Sequence, residues 1–482
     1  MLSTNKNTAL KMLLVSGTIA SIASPIFAAP RGEQVVRGNV TFNRAGDITR
    51  ITASNGAIIN YKSFNIARGE LVQFIQPSSR ARVLNRVLDK DPTVIAGTLT
   101  GNGRVFVVNP AGVTVTNGAV IDVGGFYAAA GNISDEDFAR GINRFTNLNG
   151  SVRNDGAISG QQVVLIGQSV VNTGTITSDR GSVVLAAGNE VLIGEQGSNV
   201  YARVTATKAG TAESGFDIDN TGTINAAGGS YTAATGDSFA MAIRQGGSVK
   251  AKNVNIQGGN KTNVLVNGSI DASGATNGTP QGGNGLLGGG YQGQGTSLNS
   301  KFTLVQEGAK INASATENGD GGTIVVWSDG YTGVGGTFIA NGAGNGSGGL
   351  VETSGKTLQI NDTTNVSASG ASGRNGLWLL DPQNLTISNA ANCNITITDA
   401  GFRNIEPDGV DGTASGNVSI ASIQTGFTNG LDVVITTTDP VGNSGADGDI
   451  TWLDSAAFTV NTANLSLTIH SDDVFTLNAG VS

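Results

Sequence analysis

Short apolar runs separated by tight-turn residues recur along almost the whole chain. Between residues 97 and 130 the runs fall at 105–108, 113–115 and 120–123, and the turn clusters fall at 102–103, 109–112, 117–118 and 124–125. Apolar runs bounded by Asn, Gly and Pro are typical of strands that end in tight corners. The pattern therefore predicts many short strands and few helices.

One motif returns from residue 115 onward: an apolar residue, a variable one, a polar residue that is usually asparagine, a glycine, a second variable residue, and then isoleucine or valine. The glycines of its successive copies are 38, 18, 48, 46 and 40 residues apart. These intervals fit one or two turns of a repeating unit of roughly twenty residues, as in a solenoid.

Within the runs, valine, isoleucine and leucine alternate with threonine, serine and asparagine, so each strand has one apolar face. Stacking such units in parallel buries the apolar faces in a continuous interior and pairs each backbone with the units above and below it. The prediction is an all-β solenoid, a parallel β-helix of roughly eighteen to twenty rungs and on the order of 90 Å in length. A β-propeller is the less favoured alternative, because its blades need more regular spacing.

Composition agrees with many short strands. Glycine supplies 72 of the 482 residues, hydrophobic residues make up 38% and charged residues 13%, which is too apolar for a charged disordered chain and too rich in glycine for helices. Residues 30–104 carry a net charge of +6, whereas residues 105–482 carry −16. An acidic body binds the phosphate backbone poorly, so we expect no nucleic-acid partner. The basic segment either steers the chain to an acidic surface or is an ordinary solvated face.

The first residues have the features of an export signal. Lys6 and Lys11 precede an apolar stretch at 12–23, and Ala28 is a suitable small residue for cleavage. The apolar stretch is too short to span a bilayer. We therefore predict a signal peptide at 1–28 and an exported mature chain. The single cysteine, Cys393, permits no internal disulfide, so stability must come from the fold itself.

Two segments interrupt the pattern. Ser134 is followed three residues later by Asp137, which is the spacing of a helix-capping residue, and this predicts a short helix within 133–145. Residues 273–299 are rich in glycine and lack periodicity, which predicts a mobile loop outside the rod.

Several motifs between residues 33 and 145 then carry a specific resemblance. In order they are NYKSF (60–64), VQFIQP (72–77), VLNRV (83–87), IAG (95–97), GNGRVFVVNPAGV (101–113) and VGGFYAA (123–129). This order resembles the filamentous haemagglutinin N-terminal family, the secretion domain of exoproteins exported by two-partner secretion (TPS). The segments GGLVETSGKTL (348–358) and LWLLDPQNLTI (377–387) resemble repeat regions of the same large adhesins more loosely.

The resemblance implies a right-handed, pectin-lyase-like parallel β-helix whose first strands cap its N-terminal end. It also implies recognition in the periplasm by a dedicated outer-membrane β-barrel transporter, with the exoprotein folding as it emerges from a Gram-negative cell. The family's Asn-Pro-Asn-Gly secretion motif falls on Asn109, Pro110, Ala111 and Gly112, where alanine replaces the second asparagine. The other family-matching positions singled out here are Phe64, Phe74, Asn85, Arg86, Asn102 and Gly103.

The predicted organisation is a signal peptide at 1–28, a secretion domain at 30–270 with its densest match at 33–145, and a continuing β-helix at 271–482. The chain stops at LNAGVS in mid-pattern, so we expect the natural protein to be longer.

An enzyme is the competing class, because some β-helices cleave polysaccharides with carboxylates on one face. The acidic candidates are Asp135, Glu136 and Asp137 at the predicted helix start and the pairs Asp408/Asp411, Asp447/Asp449 and Asp472/Asp473. Helix capping explains the first group and solvated turns explain the pairs. A catalytic triad would have to use His470, the one histidine, and Cys393 fits a small strand residue better than a nucleophile. We therefore expect no catalysis, cofactor or metal.

The expected function is that of a secreted surface adhesin whose rod is a spacer or adhesive shaft, with host-cell or neighbouring-cell receptors or glycans as its further partners. The alternatives are the shaft of a contact-dependent toxin-delivery protein, a haem or iron carrier, and a β-helical polysaccharide-active enzyme.

Overall fold

A computed structural model describes residues 29–196, 199–206, 216–235, 242–259, 262–277, 279–295, 298–388, 395–397, 405–407, 416–437, 448–453 and 465–478. The predicted signal peptide lies outside these residues, as do Cys393, Asp408, Asp411 and Asp447. None of the described helices is long and apolar enough to cross a membrane.

Strands dominate the described chain. In its first half they are β1 (Gln34–Arg37), β2 (Val40–Ala45), β3 (Ile48–Ala53), β4 (Ala57–Tyr61), β5 (Leu71–Ile75), β6 (Arg82–Val87), β7 (Thr93–Ile95), β8 (Thr98–Val108), β9 (Val113–Val115), β10 (Val120–Ala129), β11 (Asn143–Phe145), β12 (Ser151–Asn154), β13 (Ala157–Ser159), β14 (Gln162–Gly167), β15 (Ser169–Asn172), β16 (Thr175–Thr177), β17 (Ser182–Ala187), β18 (Glu190–Gln196), β19 (Asn199–Ala206), β20 (Ile218–Asn220), β21 (Thr223–Thr235) and β22 (Ala242–Gln245).

The second half continues the series. Its strands are β23 (Ser248–Gln257), β24 (Asn263–Val266), β25 (Ser269–Asp271), β26 (Asn284–Leu287), β27 (Phe302–Val305), β28 (Lys310–Asn312), β29 (Thr323–Val326), β30 (Tyr331–Val334), β31 (Thr337–Ile339), β32 (Leu350–Thr353), β33 (Thr357–Ile360), β34 (Asn365–Ser367), β35 (Gly376–Leu380), β36 (Leu385–Ser388), β37 (Ile395–Ile397), β38 (Ile405–Pro407), β39 (Gly416–Ser419), β40 (Leu431–Thr436), β41 (Ile450–Trp452), β42 (Leu467–His470) and β43 (Phe475–Leu477). The α-helices are α1 (Asp135–Arg140), α2 (Gly274–Asn277) and α3 (Ile420–Thr428), and one 3₁₀ turn spans Tyr291–Gly293.

Parallel pairing between successive turns builds a three-faced β-helix, which confirms the predicted fold class. Face A contains β5, β13, β16, β25, β28, β31, β34 and the first parts of β8, β10, β21 and β23. Face B contains β4, β6, β14, β17, β26, β29, β32, β35, β40, β42 and the second parts of the same four long strands. Face C is a 14-stranded sheet that runs from β7 to β43. The long strands serve two faces because they bend at a corner, where the β8–β10 register shifts between Val123 and Gly125.

Most of the predicted repeat intervals are single turns. Val120 pairs with Ala157, and Ala157 pairs with Thr175, so the intervals of 38 and 18 residues each make one turn. The longer turn carries α1 and β11 as an insertion. With 14 strands on face C, the described rod is about 60 Å long. The expectation of eighteen to twenty rungs was wrong, because insertions consume residues without adding rungs.

Inward side chains stack in columns of one residue per turn. On face A the column contains Val72, Leu99, Ile121, Ile158, Ile176, Ile224, Val249, Ile270, Ile311, Phe338 and Val366, each at most 1% exposed. Burying one such side chain stabilises the fold by about 1.5–3 kcal/mol. The alternation seen in the sequence therefore places a continuous apolar core along the axis.

The asparagines of the repeated motif form a buried ladder of side-chain amides at the corner where successive strands of face C end. Asn154 Nδ2 donates to Asn172 Oδ1 (2.8 Å), and Asn172 Nδ2 donates to Asn220 Oδ1 (2.7 Å). Asn220 Nδ2 then donates to Gln245 Oε1 (2.9 Å). All four side chains are fully buried, and their mutual hydrogen bonds offset the cost of removing amides from water.

The motif glycines allow the corners of successive turns to approach closely. A Cβ atom at Gly174 would lie 2.2 Å from the carbonyl oxygen of Gly156, and one at Gly222 would lie 2.2 Å from that of Gly174. A larger residue at either position would therefore push the turns apart.

The first strands close the N-terminal end of the rod. Strand β1 pairs antiparallel with β4, β2 and β3 form an antiparallel hairpin, and β3 pairs in parallel with β5. Val40 and Phe42 of the hairpin pack against the end of the apolar core. This arrangement is the predicted N-terminal cap, and it covers an end that would otherwise template aggregation.

The glycine-rich segment 273–299 is only partly the excursion that its composition predicts. It contains β26, which pairs in parallel with β23 and β29 on face B. The lack of sequence periodicity misled the prediction because β26 has four residues and the alternation covers too few positions to stand out. Residues 288–295 then leave the rod and lie over face B.

Candidate functional site

The corner at 109–112 is held by the side chain of Asn109, which is fully buried. Its Nδ2 donates to the carbonyl oxygen of Asp91 (2.9 Å) and to Thr93 Oγ1 (3.0 Å). Its Oδ1 accepts from the Ala111 N–H (2.9 Å). Asn109 therefore ties the corner to the preceding turn and offers no polar group to the outside of the folded protein.

The remaining residues of this corner act through the backbone. Gly112 has φ +122°, and a Cβ there would lie 2.9 Å from the carbonyl oxygen of Ser151. The Gly112 N–H donates to the Asn109 carbonyl oxygen at 2.9 Å, as in a tight turn. Ala111 is half-buried, and it takes part in the turn through its backbone N–H, which donates to Asn109 Oδ1. The replacement of asparagine by alanine thus leaves the corner intact.

Phe64 and Phe74 fill the core beneath the cap. Their rings stack with centroids 6.4 Å apart, and Tyr61 meets Phe64 edge to face at 5.2 Å. All three are at most 1% exposed. Burial, together with the charge of Glu33, raises the pKa of Tyr61, so the phenol stays neutral. These aromatic residues give the first turns a large apolar contact with the cap.

Asn102 and Gly103 couple two turns through Gln76. The Asn102 side chain accepts from the Gln76 N–H (2.8 Å) and donates to the Gln76 carbonyl oxygen (2.6 Å), as a paired strand residue would do. Gln76 Nε2 donates to the Ala81 carbonyl oxygen (2.8 Å). A Cβ at Gly103 would lie 2.6 Å from the Gln76 amide group. The two family-matching positions therefore accommodate one buried glutamine.

Asn85 and Arg86 are neighbours on β6, and their side chains point to opposite sides of the strand. Asn85 points into the core, fully buried, and its Nδ2 donates to the Phe106 carbonyl oxygen (3.0 Å) while its Oδ1 accepts no hydrogen bond from the described residues. Arg86 points outward. It donates to Asn60 Oδ1 (3.2 Å) and to the Ile133 carbonyl oxygen (2.8 Å), and it pairs with Asp135 (2.5 Å). Arg86 thus joins β4 and β6 to the start of α1.

Arg82 is a site residue that the sequence reasoning missed. Its guanidinium lies 4.4 Å from the ring centroid of Phe138 on α1 and 5.1 Å from that of Phe106 on β8. Its Nη2 donates to Asn143 Oδ1 (2.8 Å). The cation therefore clamps α1 and β11 onto face B. The sequence RVLNR at 82–86, with two arginines four residues apart, was the available signal.

A second apolar cluster lies outside the barrel of turns, between face B and the inserted elements. Phe106 and Tyr127 stack at 4.1 Å, and Phe138 of α1 packs against Phe106 edge to face at 5.2 Å. Strands β11, β18 and β19 form a small antiparallel sheet that covers the same face. The buried residues of this second apolar cluster include Ile58, Leu84, Phe106, Tyr127, Phe138, Phe145, Val164, Val184, Val191 and Ile193. Face B is thus buried on both sides in the first turns.

The acidic residues at 135–137 have structural partners. Ser134 Oγ accepts from the Asp137 N–H (3.0 Å), which confirms the predicted capped helix. Asp135 pairs with Arg86, and Glu136 pairs with Arg140 four residues later.

Of the C-terminal candidates, the structure describes Asp449, His470, Asp472 and Asp473, and it places Asp449 beside the turn that contains the last two. His470 is exposed on β42, and Asp472 and Asp473 are exposed in the turn that follows. Asp449 Oδ1 accepts from the Val474 N–H (3.1 Å). Among the described residues, no three His, Cys, Asp or Glu side chains are grouped so as to hold a metal ion.

A buried carboxylate that the sequence did not predict lies on face B near the other end. Both oxygens of Glu352 accept from the Gln292 N–H (3.0 and 3.1 Å), and Gln292 Nε2 donates to Asp381 Oδ2 (3.3 Å). Burial raises the pKa of Glu352 to about 7, and the charge of Asp381 adds to the rise, while hydrogen bonds from Gln292 and Ser354 oppose it. The glycine-rich segment is therefore fastened to the rod through Glu352.

Comparison with known proteins identifies a domain family and several relatives that parts of this chain resemble. The model of the TPS secretion domain matches residues 27–215. A heme/hemopexin-binding protein of Haemophilus influenzae strain Rd is 34% identical over 173 residues, which are 33% of this chain and 19% of that protein. A second heme/hemopexin-binding protein of Haemophilus influenzae is 40% identical over 101 residues, which are 20% of this chain and 11% of that protein. The chain thus spans at most about a fifth of these relatives.

The crystal structure of the HMW1 secretion domain from Haemophilus influenzae superposes with a TM-score of 0.55 and 29% identity, covering 73% of this chain and all of that one. TPS exoproteins are secreted across the outer membrane of Gram-negative bacteria by outer-membrane transporters. The capped β-helix, the ordered motifs of residues 60–129 and these matches agree, and this chain carries a TPS secretion domain, the domain of two-partner secretion exoproteins, at residues 27–215.

Proposed function

We propose that a dedicated outer-membrane β-barrel partner recognises the N-terminal secretion domain of this chain in the periplasm, and that the exported β-helix acts at the cell surface as an adhesin. The observation that carries the proposal is the TPS match at 27–215, in a chain whose capped first turns continue into a long β-helical shaft.

The geometry of the corner bears on how recognition occurs. Asn109 is fully buried and uses its side-chain amide within the protein. A transporter therefore meets this side chain only while the segment is unfolded. We infer that the 109–112 corner acts in folding of the emerging chain, and that recognition uses the extended segment or the outer surface of the first turns.

Folding itself favours outward movement. On faces A and B, each turn pairs with the previous one in parallel register and buries inward side chains, at about 1.5–3 kcal/mol for each large apolar residue. A formed end thus provides the template for the next turn. A chain that folds outside the membrane cannot slide back through a narrow pore without losing these contacts.

We further propose that the protein acts by binding and not by catalysis. Among the described candidates, His470 is exposed and Asp135 and Glu136 pair with arginines. The outward positions of face A include Thr175, Thr177, Thr223, Asn225 and Ser248 on successive turns, and these suit polar contacts spread along a surface.

Haem or hemopexin carriage is a second candidate, favoured by the names of the two Haemophilus relatives. Their similarity to this chain covers at most 19% of their length, so it supports export more directly than cargo. Titration of the secreted protein with hemin, followed by its absorbance spectrum, separates the two: saturable binding supports carriage, and its absence favours the adhesin.

The decisive experiment expresses the chain with and without its transporter in a Gram-negative host and measures export by protease accessibility on whole cells. We expect the intact chain to reach the surface only when the transporter is present, and deletion of 33–145 to leave it in the periplasm. Equal export of both forms would overturn the proposal. Adherence of the expressing cells to epithelial and bacterial cells then tests the adhesin role separately.

A further inference from the structure

A polar groove follows the corner between faces A and B in the second half of the rod. Its volume is about 750 Å³. The lining residues come from four segments that lie on successive turns, namely Asp320, Ser347, Gly348, Gly373, Arg374, Asn375 and Asp432. At about 4.8 Å per turn, the groove extends along the rod for roughly 15 Å.

Two carboxylates in the groove are held in place and keep acceptor capacity. Asp320 Oδ1 accepts from the Ser347 N–H (2.7 Å). Asp432 Oδ1 accepts from the N–H and the Oγ of Ser466 (2.7 and 2.9 Å). Within the described chain, Oδ2 of each aspartate accepts no hydrogen bond. Each side chain is therefore oriented by one oxygen and presents the other.

Arg374 supplies donors to the same groove. Its N–H donates to Ser347 Oγ (3.3 Å), and its carbonyl oxygen accepts from the Gly348 N–H (2.9 Å), which fixes the backbone. The side chain is exposed, and its guanidinium makes no ion pair or hydrogen bond with the described residues. Five N–H donors thus remain available beside the two aspartates.

The groove has no room for side chains at two of its lining positions, Gly348 and Gly373. A Cβ at Gly348 would lie 1.7 Å from the Ala368 carbonyl oxygen, and one at Gly373 would lie 2.5 Å from that of Gly346. Packing of the turns beneath therefore excludes larger side chains at both positions, and the floor is bare backbone between the charged walls.

We propose that this groove binds a neutral oligosaccharide that lies along the rod. Carboxylate oxygens accept from sugar hydroxyl groups, the Arg374 guanidinium donates to them, and a floor without side chains at Gly348 and Gly373 leaves room for pyranose rings. No large apolar side chain lines the groove, which excludes an apolar ligand or a peptide anchored by hydrophobic residues. Asp320 and Asp432 repel a polyanion. A chain of repeating units also matches a groove built from repeating turns.

This inference rests on the proposed adhesin function for its biological setting, and it names the class of ligand that the shaft holds. The binding itself is a property of the purified protein, so it is measured without the transporter or the host cell. Failure of binding and failure of export or cell adhesion are therefore separate results.

The test measures binding of cellohexaose, chitohexaose, maltohexaose, sialyllactose and a heparin hexasaccharide to the purified full chain by calorimetry. We expect at least one of the three neutral hexasaccharides to bind, with an affinity that EDTA does not change. Arg374→Ala and Asp432→Asn should each weaken that binding about tenfold, since each removes a charge-assisted hydrogen bond.

Matched controls are Arg144→Ala and Asp122→Asn, which change exposed residues of the same types outside the groove, and both should bind as the unchanged chain does. Arg374 is exposed, so its variant is expected to fold normally, and circular dichroism checks the Asp432 variant. Binding of none of the neutral sugars, binding of the anionic sugars alone, or neutral binding unaffected by both variants would overturn the proposal.

Discussion

At the scale of single residues, the secretion domain depends on side chains whose polar groups point inward. Asn109 and Gln76 lie in the rod and bond to backbone groups of other turns, at Asp91 and Arg104. Asn85 is less completely satisfied, because its Oδ1 is buried without a hydrogen-bond partner. Such positions are sensitive to the chemistry of a replacement more than to its size.

Asn85 gives a direct test of this distinction. We expect Asn85→Leu to change the free energy of unfolding by less than about 1.5 kcal/mol, because an apolar group of similar volume replaces a half-satisfied amide. Asn85→Asp should lower it by about 3 kcal/mol or more, since it places an unpaired charge in the core. Urea unfolding followed by tryptophan fluorescence measures both. Equal losses in the two variants would contradict this account.

The raised pKa of Glu352 predicts that the free energy of unfolding depends on pH. Its pKa is raised from 4.5 in the unfolded chain to about 7 in the folded protein, so the folded state retains the proton. The contribution of protonated Glu352 to the free energy of unfolding is therefore complete below pH 4.5 and is lost as the pH rises through about 7. The difference amounts to about 3 kcal/mol.

Glu352→Gln should remove this part of the pH dependence between pH 5 and 8 while retaining a neutral side chain of similar shape. Glu307→Gln is the matched control, because Glu307 is exposed, and it should leave the profile unchanged. Urea midpoints measured across this pH range provide the comparison. A profile that stays steep in the Glu352 variant would show that another group is responsible.

At the scale of elements, the inserted helix α1 and the sheet of β11, β18 and β19 distinguish the first turns from the rest of the rod. They bury the outer side of face B, where Phe106 and Tyr127 would otherwise be exposed. Arg82 and Arg86 connect these elements to β6 through rings, carbonyl oxygens and a carboxylate. The secretion domain is thus a two-layered structure at its beginning and a single-layered one farther along.

Arg86→Ala should loosen α1 from face B. The change removes hydrogen bonds to Asn60 and Ile133 and leaves Asp135 without its cation, and we expect a loss of about 2 kcal/mol in the free energy of unfolding. Cleavage by trypsin at Arg140 or Arg144 should become faster. Lys62→Ala provides a control for an exposed basic side chain on the same end, and similar cleavage rates in the two variants would argue against the clamp.

At the scale of the whole molecule, the rod has a closed end and a direction of growth. The hairpin β2–β3 and strand β1 cover the first turns, and every later turn on faces A and B is paired with its predecessor in parallel. Stability of such a body depends on nearest-neighbour contacts between turns, and the cap provides the first of these.

Deletion of residues 33–56 removes β1, β2 and β3 and leaves β4 in place. We expect this chain to be poorly secreted and to aggregate, because the deletion exposes the edges of β4 and β5 and the aromatic residues Phe64 and Phe74. Thr52→Lys, a change at an exposed position of the hairpin, should be secreted normally. Secretion yield and light scattering of the purified protein measure the outcome, and a soluble, well-secreted deletion would exclude a capping role.

Local patterns in the sequence were sufficient to predict the cross-section of this protein. Alternation of apolar and polar residues placed valine and isoleucine inward, and Ser134 marked the start of α1. The Asn-Gly motif marked the corners where side-chain amides stack and the backbones of successive turns approach closely. These features depend on residues within a few positions of one another and on the two-residue period of a strand. The ordered motifs at 60–129 also sufficed to recognise the two-partner secretion family.

The tertiary structure alone decided which turns were lengthened, and it thereby decided the number of rungs and the clusters outside the rod. Arg82 meets Asn143 across 61 positions, Gln292 meets Glu352 across 60, and the groove joins segments from Asp320 to Asp432. No local period encodes such contacts, because insertions of unequal length separate the partners. The sequence thus determined what each turn is made of, whereas the stacking of the turns determined which side chains meet.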